Sequence, residues 1–182
     1  MHESSPLLPA KADGKRPCIR RLRRGRFGLT VIAVVGVALA GCGGDDQTDR
    51  QAEVADRGAA VMPFDLDATT HTFTQTDDGG IQAVTADDAS DAEQIGLIRG
   101  HLHEERDNFA GGDFDDPAAI HGHDMDGVAE LRAGYTDITV TYTDLPDGAQ
   151  LTYTTDRADL VDAVHAWFDR QLMDHGTDAR AG

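Results

Sequence analysis

The sequence predicts an α+β domain, a four-stranded antiparallel sheet with its helices packed on one face, and three observations carry that expectation. Two stretches of threonine-rich alternation are each interrupted by an Asp-Gly turn, the mark of a β-hairpin. Each hairpin runs on into one helix with a single apolar stripe. A further helical stretch joins the halves, giving the order ββα, α, ββα.

The first strand is Thr69-Thr70-His71-Thr72-Phe73-Thr74-Gln75-Thr76, the turn Asp77-Asp78-Gly79-Gly80, and the second strand Ile81 to Ala86. A helix is expected from about Ser90 to Phe109, with Ser90 as N-cap and Glu93 at the capping-box position. Ile95, Ile98, Leu102 and Phe109 share one face of it, and Gly111-Gly112 stops it. Asp116-Pro117 opens a second helical stretch, broken near Gly122 and resuming from Asp124 to Ala133 with Met125, Val128 and Leu131 inward. Asp137 to Thr143 is the third strand, Leu145-Pro146-Asp147-Gly148 the turn, and Ala149 to Thr154 the fourth. The last helix spans about Asp156 to Met173, with Val161, Val164, Phe168 and Leu172 on one face. Outward strand positions are rich in threonine, as a solvated sheet face requires.

The halves align as a ββα repeat. Phe73-Thr74-Gln75-Thr76-Asp77 lies over Val140-Thr141-Tyr142-Thr143-Asp144, and Gly80-Ile81-Gln82 over Gly148-Ala149-Gln150. Abundant Thr and Asp would produce the same match from composition alone.

Charge divides the 182-residue chain at Cys42. Of 16 basic and 33 acidic residues, eight basic and two acidic precede Cys42, which leaves eight arginines against 31 acids and a formal charge of −23 beyond it. Such a surface repels nucleic acid and anionic headgroups and excludes both as main partners. Cys18 and Cys42 are the two cysteines, so residues 43–182 contain no thiol for disulfide, metal or nucleophilic chemistry.

Arg20-Arg21-Leu22-Arg23-Arg24-Gly25-Arg26 is followed by an uncharged stretch, Phe27 to Gly41, whose apolar core is shorter than a spanning helix needs. The core ends in Leu39-Ala40-Gly41-Cys42, which resembles the lipobox of bacterial lipoproteins. That resemblance implies cleavage before Cys42, a diacylglycerol on its sulfur, and an extracytoplasmic domain held to the membrane by acyl chains. The paired arginines leave twin-arginine and general export both open. The expected division is a signal peptide over 1–41, a flexible acidic tether over 42–60, the α+β domain over 61–175, and a disordered tail over 176–182.

Seven histidines follow Cys42 and are the obvious neutral-pH ligands or bases: His71, His101, His103, His121, His123, His165 and His175. His71 shares a strand face with Phe73, so its imidazole is expected inside, either as a bonded core histidine or as a ligand. His101 and His103 lie about 200° apart on their helix and cannot clip one ion together. His121-Gly122-His123-Asp124-Met125 mixes imidazole, carboxylate and thioether at a helix break, donors that suit copper or zinc. His165 flanks Val161 and Phe168, and His175 follows the last helix, where it can also cap free carbonyls. No Gly-x-Ser-x-Gly, phosphate loop or His-Glu-x-x-His is present, so the expectation is non-enzymatic.

His165-Ala166-Trp167-Phe168-Asp169-Arg170-Gln171-Leu172 with Asp174-His175-Gly176, and Gly112-Asp113-Phe114-Asp115-Asp116-Pro117 with Ile120-His121-Gly122, resemble segments of a group of small, uncharacterised exported bacterial proteins. The likeness spans about Met62 to Ala179 and implies an architecture without an activity. Some members are labelled aspartate carbamoyltransferase. That label does not carry over, because the Ser-Thr-Arg-Thr phosphate-binding segment of that enzyme is missing and the domain is too short for its two-domain fold.

The expectation is therefore a surface-tethered binding lipoprotein. Its candidate copper or zinc ligands are His71, His101, His121, His165 and His175, with Met125 as a soft donor, at least three of them converging. The alternative is a structural module that meets an envelope protein through the threonine-rich face or an edge strand.

Overall fold

The computed structural model describes residues 43–182, so the expected signal peptide and the Cys42 acylation site lie outside the described residues. The elements, in order, are α1 (Gly43–Val61), β1 (Thr69–Thr76), β2 (Gly79–Ala86), α2 (Ala92–Ala110), α3 (Asp115–His121), α4 (Val128–Gly134), β3 (Thr139–Leu145), β4 (Gly148–Thr154), α5 (Ala158–His175) and β5 (Ala179–Ala181). The α+β class holds. The sheet, however, has five strands in the order β3-β4-β2-β1-β5. Four are antiparallel, and β5 runs parallel to β1.

Both hairpins form where the Asp-Gly turns place them, with Thr76 opposite Gly79 and Leu145 opposite Gly148. They meet through β2 and β4, so one sheet spans both halves. His71, Phe73, Val84, Leu151 and Tyr153 point into the core, while Thr70, Thr72, Thr74, Thr152 and Thr154 stay partly in water. This is the period-two pattern of a sheet covered on one side. The helices cross over: α2 lies on β3 and β4, α5 on β1 and β2.

On α2 the buried face is Ile95, Ile98, Leu102, Glu105 and Phe109, the expected stripe plus one carboxyl. Its N-cap is Asp91, which accepts from the amides of Glu93 and Gln94. Ser90 is instead engaged by Asp88, its hydroxyl donating to that carboxylate at 2.6 Å. The α5 stripe sits one residue off the expected line. Leu160, Val164, Trp167, Phe168, Gln171 and Asp174 are buried, while Val161 and Leu172 are at the boundary. Trp167 sets this rotation by packing edge-on against Phe109 and Tyr153 at 5.6 and 5.4 Å.

Two segments expected to be unstructured are ordered. The acidic stretch read as a tether is helical from Gly43. Its Gln, Ala, Glu and Arg residues favour a helix, and long-range contacts hold it: Gln47 and Gln51 each donate to the Met173 carbonyl, and Val54 is buried. The expected disordered tail supplies β5, with Ala179 beside His71 and the Gly182 amide donating to the Phe73 carbonyl. No helix among the described residues is long and apolar enough to cross a membrane.

Gly127 precedes α4 at φ 76°, and a Cβ there would stand 2.1 Å from the Ala163 carbonyl oxygen. Gly127→Ala is expected to cost roughly 2–3 kcal/mol, from the left-handed backbone and the clash together, read as a lower urea midpoint.

Candidate functional site

The last turn of α5 gathers the chemistry. Asp174 is 1% exposed and accepts from three side chains. Arg50 of α1 donates through Nε at 3.1 Å and Nη2 at 2.8 Å, Arg170 through Nε at 3.0 Å and Nη2 at 2.9 Å, and His121 through Nδ1 at 2.8 Å. Burial alone would raise this carboxyl, but hydrogen bonds from Arg50, His121 and Arg170 hold it down at about 2. Arg50 also donates to the His121 carbonyl at 2.6 Å, and Arg57 to that of Ile120 at 3.2 Å, so α1 satisfies the open end of α3.

Three imidazoles from three elements touch beside this carboxylate. His71 of β1 stacks on His175 of α5, with centroids 5.4 Å apart and planes 11° apart. His121 of α3 meets His175 edge-on at 5.0 Å. His101 of α2 stands edge-on to Phe64, which also meets His71. Burial lowers all four imidazoles. His71 falls to about 4, with His101 and His121 adding to the effect, and His175 to about 3, with His71 and His121 adding. His101 and His121 move the same way, chiefly by burial. At neutral pH the rings are uncharged, each with one donor and one acceptor nitrogen. His121 spends Nδ1–H on Asp174, and His175 spends Nε2–H on Gln171 Oε1 at 3.0 Å. Nε2 of His121 and Nδ1 of His175 remain as lone pairs.

These four histidines line one cavity of about 30 Å³, with Met62, Glu105 and Trp167 also on its wall. Burial, reinforced by the Asp116 charge, raises the Glu105 carboxyl to about 8, so it carries a proton at pH 7. The Trp167 indole N–H is buried and lacks a hydrogen-bond partner. His71 and His175 also floor a wider cleft of about 490 Å³ that opens under α1, between Gln51, Ala55 and Leu66 on one side and Thr177 and Asp178 on the other.

The other expected ligands lie elsewhere. His165 is bonded through Nε2 to the Thr76 and Gly79 carbonyls, both at 3.0 Å, and ties α5 to the first hairpin turn. His103 is exposed against Tyr142 and Asp107. His123, Asp124 and Met125 line a groove of about 260 Å³ that His121 also borders, so the expected run stays together there, apart from His71, His101 and His175. Arg50 and Arg170 face that groove too, so it offers poor electrostatics for a cation. Among the described residues, no three His, Cys, Asp or Glu side chains stand arranged to hold a metal ion.

Sequence reasoning missed Asp174, Arg50, Gln171, Glu105 and Met62. Two of them left a helical signal: Gln171 is four residues before His175, and Arg170 four before Asp174, so each pair shares a face of α5. Arg50, more than 120 positions from Asp174, left none. No protein-family model, curated protein or solved structure matches the chain at a significant level.

Proposed function

We propose that this chain is an exported lipoprotein, acylated on Cys42, that binds a small metal cation in the histidine-lined cavity beside the last turns of α5. One observation carries the reading: His71, His101, His121 and His175, from four separate elements, line one cavity of about 30 Å³. Neutral imidazoles are the ligand form of histidine. Asp174 on the far nitrogen of His121 is the kind of outer carboxylate that fixes the tautomer of a metal ligand. The volume admits an ion or a water and no organic substrate. Occupancy would require the rings to close by rotation, as they are near one another but not yet convergent. Copper and zinc both suit imidazole.

Metal analysis tests it, on chain carrying Cys18→Ser and Cys42→Ser so that no thiol competes. One equivalent of copper or zinc is expected, lost in His121→Asn and His175→Asn and kept in His165→Asn. A metal-free protein whose melting is unmoved by either ion would reject the reading. The anchor has its own test: Cys42→Ala is expected to move the chain from the membrane fraction to the soluble one, and continued sedimentation with membranes would count against acylation.

A second reading is an interaction module of the cell envelope. β3 is a sheet edge with Thr139, Thr141 and Thr143 exposed, open to strand addition by a partner.

The two ββα halves also read as an internal duplication. Arg99 of α2 donates to the Gly148 and Leu145 carbonyls of the second turn, as His165 of α5 donates to those of Gly79 and Thr76 in the first. In each half the helix bonds the residues that close the opposite hairpin, which supports a duplication, although the matching positions lie one or two residues off the alignment read from the sequence.

A further inference from the structure

We propose that the ion this cavity selects is monovalent copper, held by His121 Nε2, His175 Nδ1 and the thioether of Met62. The inference rests on the cation-binding reading above and names its ligand.

The donors come first. His121 and His175 each keep one nitrogen free of protein hydrogen bonds, and their ring centroids are 5.0 Å apart. That spacing is short enough for ring rotation to bring one nitrogen of each within roughly 2 Å of a shared ion. Met62 lies on the same cavity wall and is half-buried, its backbone tied to the Gly58 carbonyl just past the end of α1. Thioether sulfur is a soft donor that selects Cu(I), whereas zinc takes nitrogen, thiolate and oxygen.

Charge points the same way. Beside the imidazoles and Glu105 the wall bears the apolar groups Phe73, Phe109, Pro117, Ile120 and Trp167. Asp116, half-buried, is the other carboxyl on it, and Asp174 sits behind His121, already shared with two arginines. The cost of burying an ion grows with the square of its charge, so a divalent ion costs four times as much as a monovalent one. A site of neutral, soft ligands out of water thus favours the +1 ion. The stacked His71 and His175 belong both to this cavity and to the outer cleft, which gives the ion a route in past those two rings.

The test uses the full chain carrying Cys18→Ser and Cys42→Ser, under anaerobic reducing conditions. Cu(I) is offered as its coloured bicinchoninate complex, and Zn(II) is offered separately with a chromophoric chelator. The chain is expected to withdraw one equivalent of Cu(I). Met62→Leu, which keeps the side-chain volume, is expected to weaken Cu(I) at least tenfold while leaving Zn(II) affinity unchanged. Met125→Leu, on the arginine-lined groove, is expected to leave both unchanged. Cu(I) bound equally well by Met62→Leu would overturn the thioether ligand, and Zn(II) taken up without Cu(I) would overturn the choice of ion while sparing the cation-binding reading. Uptake of neither metal would reject both.

Discussion

Asp174→Ala is expected to destabilise the protein by about 3–5 kcal/mol, the range for removing one partner from a buried ionic network. The carboxylate accepts from two arginines and a histidine, and the substitution leaves all three without it. Arg50 and Arg170 are 28% and 26% exposed at the side chain, so both partly rehydrate. His121, 2% exposed, does not, and its Nδ1–H becomes a buried donor without an acceptor. Asp174→Asn is expected to fall between, since its amide oxygen can serve one donor. Urea unfolding at pH 7 measures the loss. Hydrogen exchange should localise it: α1 amides are expected to lose protection first, because Arg50 is one of that helix's two arginine links to the body, with Arg57, while the β2–β4 pairing stays protected. A loss under 1 kcal/mol with α1 still protected would show that the network is peripheral.

Acid is the second large effect. In the unfolded chain the histidines titrate near 6.5, whereas in the fold His71 is held near 4 and His175 near 3. Between those values the unfolded state takes protons that the folded state excludes. Stability from the cluster is therefore complete above about pH 6.5 and lost as pH falls toward 4. A shift of that size for buried His71 corresponds to a loss on the order of 3 kcal/mol. The groups facing the cluster are His101, His121, Glu105, Asp116, Asp174, Arg50 and Arg170; His101 and His121, lowered chiefly by burial, steepen the same acid limb. Asp174 keeps its charge until well below pH 4. Glu105 acts in the opposite sense: raised from 4.5 to about 8, it contributes most below 4.5 and loses that contribution as pH rises through 8. Chemical denaturation from pH 4 to 9 is thus expected to give a maximum near pH 6.5. His71→Phe should flatten the acid limb and Glu105→Gln the alkaline one. A curve level between pH 4 and 6.5 would mean that the imidazoles are hydrated.

Local pattern made the hairpins and the two long helices legible. Alternation in Thr69–Thr76 and a 3.6-residue stripe from Ile95 to Phe109 are properties of short windows. What escaped depends on distant partners. Gly43-Gly44-Asp45-Asp46 reads as a tether because nothing near it is apolar, yet the helix it opens is held by Asp174 and Met173. Ala179-Arg180-Ala181 has no strand propensity and pairs because β1 offers it an edge. The site divides the same way. His71 was expected inside from its register with Phe73, whereas Met125, closer in sequence to His121 than Met62 is, lines a different groove.

The sheet edge at β5 has a consequence for when the molecule can finish folding. His71 and Ala179 are neighbours there across 108 positions of chain, and the ring stacked on His71 comes from His175. Both hairpins can close early from local contacts, but the cavity waits for the last seven or eight residues to be delivered. Loops that long are the slow kind to close. The cluster therefore forms late, once His175 and the β5 strand have docked, and a chain lacking this short segment would carry every histidine from 71 to 165 without a finished pocket to put them in.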